Sequence, residues 1–164
     1  MFKTSQIMQQ PQKAGISFGL TSGVITTLGV MIGLDAATSL RLAVIGGILT
    51  VAISDAFSDA LGMHVSQESN ENNNHDEVWQ ATFATFFSKL IIALTFLIPV
   101  LLLNLQTAIL VNIIYGLLLI SASSYLLAKS RKESPLNVIA EHLTITVIVI
   151  AITYYAGKLI ALYL

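Results

Sequence analysis

Residues 42–63 read LAVIGGILTVAISDAFSDALGM. A helix of roughly 20 apolar residues crosses the ~30 Å hydrocarbon core of a bilayer, and this stretch has that length and composition. Its only charged residues are Asp55 and Asp59. Further apolar stretches of similar length run over about 15–34, 82–103, 108–127 and 138–164. The pattern predicts an all-α integral membrane protein with five transmembrane helices. Polar breakers separate the spans: Asp35 and Arg41 around AATSL, the run QESNENNNHDE within a loop at 64–81, the short NLQT turn, and KSRKESP. Pro99 falls late in the third span, where it can kink the helix or begin its end.

Composition agrees. Of 164 residues, 55% are hydrophobic and 10% charged, with a mean hydropathy of +0.79. A soluble domain carries about 25% charged residues, so this chain lacks the polar surface to face water all round. Its length fits one membrane domain, 15–164, after a polar tail at 1–14 that contains Pro11 and has no apolar core of a cleaved signal. The formal net charge is −1 and no Lys/Arg run stands out, which gives no basis for a nucleic-acid partner. The absence of cysteine excludes disulfides, thiolate metal sites and cysteine nucleophiles. HExxH, GxSxG, Walker and GxGxxG patterns are also absent, so an enzyme is not expected.

Positive charge sets the expected orientation. With the amino terminus in the cytoplasm, the inner segments hold Lys3, Lys13, Lys129, Arg131 and Lys132, with Lys89 near the inner end of span three. The outer segments hold Arg41 and Lys158. This orientation makes 64–81 a cytoplasmic acidic loop.

Asp55 and Asp59 stand four residues apart on one helix face, and Met63 follows one turn later. Counted from His64 at the rim, they lie roughly 14 Å and 7 Å deep at 1.5 Å per residue. A carboxylate near mid-membrane costs about 2.5–3.5 kcal/mol on insertion scales. No basic residue within the spans is obviously placed to offset both, so they are expected to be protonated, to face water or to bind a cation. The structural alternative is that Asp59 reaches interfacial water and Asp55 caps a neighbouring helix. Carboxylate oxygens with the Met63 thioether suit a transition metal. The loop adds His64, Glu68, Glu71, His75, Asp76 and Glu77, donors that can collect divalent cations or simply form a solvated acidic surface. Glu141 and His142 open the fifth span, at an interfacial or a proton-handling position.

Gly15, Gly19 and Gly23, then Gly29 and Gly33, recur at steps of four in span one. Such rows bring helix backbones close, against another span of the same chain or against a second copy in a homodimer.

Several of these segments together resemble the vacuolar iron transporter family. They are FGLTSGVITTLGVMIGL (18–34), SDAFSDALGMHVSQES (54–69), WQATFATFFSKLIIALTFLIPVLL (79–102) and SPLNVIAEHLTITVIVIAITYYAGKLI (134–160), in the family's order. The resemblance covers nearly the whole chain and implies a five-span homodimer with its pathway between the subunits, lined by spans one and two. It implies export of Fe²⁺ or Mn²⁺ from the cytoplasm in exchange for protons, with no permanently bound cofactor. The chain departs from the family at Ser22, where an acidic residue is usual, and at Asp59, where a methionine is usual. The large cytoplasmic metal-binding domain is reduced to His64–Glu77. Expected metal ligands are therefore Asp55, Asp59, Met63, His64, Glu68, Glu71 and Glu77, with Ser22, Glu141 and His142 as pathway or proton-handling positions. The competing expectation is a non-transporting scaffold or metal sensor whose cytoplasmic loop binds metal; a channel without metal preference is a third. The short chain points to a prokaryotic plasma (inner) membrane.

Overall fold

Six helices account for nearly all of residues 10–163, the part that this computed structural model describes. They are α1 (Gln10–Thr38), α2 (Arg41–Glu68), α3 (His75–Thr95), α4 (Leu97–Leu102), α5 (Leu105–Arg131) and α6 (Pro135–Tyr163). Helices α3 and α4 together make one span, so five segments are long and apolar enough to cross a membrane. No strand occurs among the described residues. Of the polar tail, residues 1–9 with Lys3 lie outside the described residues, and 10–14 already belong to α1.

Each span is longer than its apolar run. At 1.5 Å per residue the 28 residues of α2 extend about 42 Å, so polar turns project beyond the hydrocarbon. The extension has local causes. The Asn74 side chain accepts from the Glu77 N–H while the Glu77 carboxylate accepts from the Asn74 N–H, both at 3.0 Å. This capping box starts α3 at His75, and α2 continues through Val-Ser-Gln to Glu68. The connection is therefore 69–74, shorter than the expected loop at 64–81. At the other membrane face, α1 ends where Ser39 turns left-handed (φ 53°) and donates to the Asp35 carbonyl at 2.9 Å. Asn104 caps α5 by accepting from the Thr107 N–H at 3.0 Å. Pro135 opens α6, where its missing donor costs nothing.

Helix α1 is the axis of the bundle: half of its apolar window is buried, against 11–28% in the other spans. Its glycines explain how. A Cβ on Gly15 or Gly19 would collide with α3 at Ala81, Thr85 and Ser88, whereas Gly29 and Gly33 face Val149 and Thr153 of α6. Gly157 of α6 returns the fit, lying against the Gly33 carbonyl and Ala36. The small-residue row of span one thus packs within the chain. Val24, Leu28 and Met31 on α1 then join Val44 and Ile48 of α2, Phe96, Val100 and Ile120 in one apolar core.

Span three is interrupted at Phe96. Pro99 cannot donate to the carbonyl one turn back, and the chain resumes as α4. Asn112 of α5, fully buried, donates from Nδ2 to the Phe96 carbonyl at 2.9 Å. Tyr115 donates to Thr95 Oγ1 at 3.0 Å. Irregular backbone at membrane depth is tolerated where protein groups satisfy it in this way. Outward, Leu49, Ile53, Phe57 and Leu61 of α2 and Leu118 of α5 are exposed. Such a continuous apolar exterior needs lipid to cover it. The chain is an all-helical integral membrane protein.

Candidate functional site

Two of the charged groups and their cation sit at the middle of their helices. Asp55 stands midway along α2, Asp59 one turn nearer its end, and Lys89 midway along the span His75–Leu102. Lys89 is therefore not at the inner end of span three, and a basic residue does offset both aspartates. Its Nζ lies 2.5 Å from Asp55 Oδ2 and forms a hydrogen-bonded ion pair with Asp59 Oδ2. Among the described residues these are the only ion pairs.

Helix α1 completes the arrangement through two neighbouring small residues. Gly23 seats the lysine stem: a Cβ there would come within 3.3 Å of Lys89 Cγ. Ser22 Oγ accepts from Lys89 Nζ at 2.8 Å and donates to Asp59 Oδ2 at 2.6 Å. Three oxygens thus surround the ammonium, two of them in hydrogen bonds. The Asp55 contact is oblique: its Oδ2 touches Nζ yet has no aligned hydrogen bond. Asp55 is consequently the less firmly held of the two carboxylates.

Burial is uneven across the cluster. The Lys89 side chain is 0% exposed, Asp59 19% and Asp55 30%. The cation is sealed between α1, α2 and α3, and the carboxylates open at the flank of α2. With all three groups ionised the cluster carries one net negative charge. An unpaired charge there is costly, and the Asp55 oxygen in contact with Lys89 is itself buried.

The remaining expected site residues are dispersed. His64 turns toward α3, where its Nδ1 is 3.0 Å from Thr82 Oγ1 and its ring meets Trp79 edge-on at 4.7 Å. Glu68 and Glu71 are exposed, while Glu77 is buried in its capping box. Trp79 Nε1 donates to His75 Nε2 at 3.1 Å. Met63 lines a separate cavity with Lys13, Thr21 and His142. Glu141 is exposed, and His142 Nδ1 is 2.7 Å from Ser124 Oγ. Among the described residues, no three His, Asp or Glu side chains are grouped to hold a metal ion. Asp55, Asp59 and Ser22 are the expected residues that the fold does bring together.

Lys89 is the member of this cluster that the sequence reading misplaced. The signal was present: a single lysine inside ATFFSKLIIALTF, and an Asn-x-x-Glu box at 74–77 that moves the helix start outward. Together they place this lysine at mid-membrane, where it demands a carboxylate partner. No family model, no curated protein and no solved structure matches the chain.

Proposed function

We propose that this chain is a transporter that moves a divalent transition metal, Fe²⁺ or Mn²⁺, out of the cytoplasm in exchange for protons, with Asp55 and Asp59 as the carboxylates that meet the metal. The observation that carries the reading is the contact of one buried lysine with both mid-membrane aspartates. Lys89 occupies the place that a cargo cation would take, on the same oxygens. The resemblance to the vacuolar iron transporter family supplies the metal class and the direction.

Charge balance supplies a mechanism. Net charge in hydrocarbon is penalised, so a divalent ion entering the cluster is balanced by the departure of two protons. Metal release follows when both protons return from the opposite side. Ser22, which bonds both Lys89 and Asp59, steadies the lysine while the carboxylates exchange partners.

The functional unit we propose is a homodimer, joined through α2 and not through α1. Gly46, Thr50, Ser54, Ser58 and Gly62 form an exposed row at steps of four along α2. Nothing lies within 4 Å of where a Cβ on Gly46 or Gly62 would be. This row flanks Asp55 and Asp59, so pairing two copies brings four carboxylates to one interface. The amino terminus is assigned to the cytoplasm, since Lys13, Lys129, Arg131 and Lys132 share one end of the bundle against Arg41 and Lys158 at the other. A prokaryotic plasma membrane is the proposed location.

The test is paired flux in proteoliposomes carrying a metal dye and a pH dye. The wild-type chain should show Mn²⁺ or Fe²⁺ flux with opposite proton flux. Asp59→Asn and Asp55→Asn should each abolish both. If both variants transport as wild type does, the site is wrong. One observation favours a non-transporting role instead: both aspartates already pair with the chain's own lysine. That role predicts no metal flux from the wild-type chain.

A further inference from the structure

A second site lies at the end of the bundle where α1 begins and α5 ends. Two cavities meet there, of about 410 Å³ and 320 Å³, and share Lys13, Ser17, Leu127 and Ser130 as walls. They adjoin as a cleft along the seam of α1 and α5, and Lys13, Ser17 and Ser130 face both halves. The basic half adds Arg131 and His142. The apolar half adds Ile16, Leu20, Leu119 and Leu126. No acidic residue lines either half.

The dimensions match one kind of occupant. From Arg131 back to Leu119 is twelve residues of α5, about 18 Å at 1.5 Å per residue. One leaflet of a ~30 Å core is about 15 Å deep, so the apolar half runs through roughly one leaflet. The basic half then sits at headgroup level, in the last turn of α5, where Lys129 and Arg131 lie. His142 of α6 closes the basic half, its Nδ1 2.7 Å from Ser124 Oγ. Basic pockets between helices at a membrane surface bind anionic headgroups.

We infer that this cleft is a binding site for one anionic phospholipid, its phosphate between Lys13 and Arg131 and an acyl chain along Leu20, Leu119 and Leu126. The inference is independent of metal transport, since neither aspartate nor Lys89 lines the cleft. Its occupant ties α1 to α5, helices that otherwise meet deeper in the bundle, where Gly116 receives Val24 and Leu28.

Native mass spectrometry of the purified full-length chain tests it, with phosphatidylglycerol, phosphatidylcholine and inorganic phosphate as probes. The wild-type chain should retain one phosphatidylglycerol per chain in preference to phosphatidylcholine, and millimolar inorganic phosphate should not displace it. Lys13→Gln with Arg131→Gln should weaken phosphatidylglycerol retention by about thirtyfold, at about fivefold for each basic group near the surface. Both side chains are exposed, so the fold survives their neutralisation. Ala122→Trp, which fills the apolar half, should weaken retention while leaving both basic groups in place. Equal retention of the two lipids overturns the inference, as does retention unchanged in the paired Gln variant. Displacement by inorganic phosphate, or insensitivity to Ala122→Trp, shows a site for a free anion and also overturns it.

Discussion

Replacing Lys89 by methionine removes the ammonium and keeps most of the stem's volume over Gly23. Asp55 and Asp59 then remain at mid-membrane, four residues apart, with Ser22 as the one hydroxyl left to them. Removing one partner of a buried ion pair costs about 3–5 kcal/mol, because it strands the other charge. At about 2–4 °C per kcal/mol for a chain of this size, the midpoint of thermal unfolding should fall by about 6–20 °C. Circular dichroism melts in one detergent at one pH read this directly. The decisive comparison is the triple variant Lys89→Met, Asp55→Asn, Asp59→Asn. Replacing a whole buried ionic cluster by neutral groups is often close to neutral in stability, so it should recover most of the loss. The reasoning fails if Lys89→Met melts within about 3 °C of wild type, or if the triple variant melts no higher than Lys89→Met.

Three further outcomes follow from packing. Gly19→Val forces a branched side chain into Ser88 and Thr85 and should cost about 1–3 kcal/mol or more, while Gly62→Val, facing open space, should stay within about 0.5 kcal/mol in the monomer; chemical denaturation of both separates the two glycine classes. Asn112→Leu leaves the Phe96 carbonyl without its side-chain donor and should cost about 1–3 kcal/mol, with proteolysis near the helix break increasing. Because the chain has no cysteine, Ser58→Cys can be oxidised cleanly in membranes: it should form disulfide-linked dimers, whereas Leu118→Cys on α5 should not, and the reverse pattern would exclude an α2 interface.

The number and order of the spans were legible because five apolar runs of the required length admit little else. Their ends were not, since hydropathy stops where polar residues begin and the helix does not. Val65 to Glu68 and His75 to Gln80 are helical for reasons of capping and backbone bonding, and only the Asn74–Glu77 box announces this in sequence. The two aspartates were recognisable as an anomaly. Their partner was not paired with them, because Lys89 is 30 and 34 positions away and its burial is a property of three helices meeting. The glycine row of α1 showed that something packs closely there, but not what: the alternation between α3 and α6 as partners depends on how the five helices wind round α1. The small row of α2 went unremarked because serine and threonine dilute its glycines.

The brevity of the 69–74 connection has a consequence for how the chain enters a membrane. Synthesis delivers α2 before α3, so the aspartates reach the insertion machinery ahead of the lysine that pairs with both. A span bearing two unpaired acids is a poor candidate for release into lipid on its own. With so few residues between the helices, Lys89 follows the acids closely, and α2 and α3 can leave for the bilayer as one hairpin with the acids already paired. A long insertion after Ser69 would delay that meeting. The defect to expect is failed integration of α2, with a folded bundle never formed, even though no contact in the finished protein has been touched.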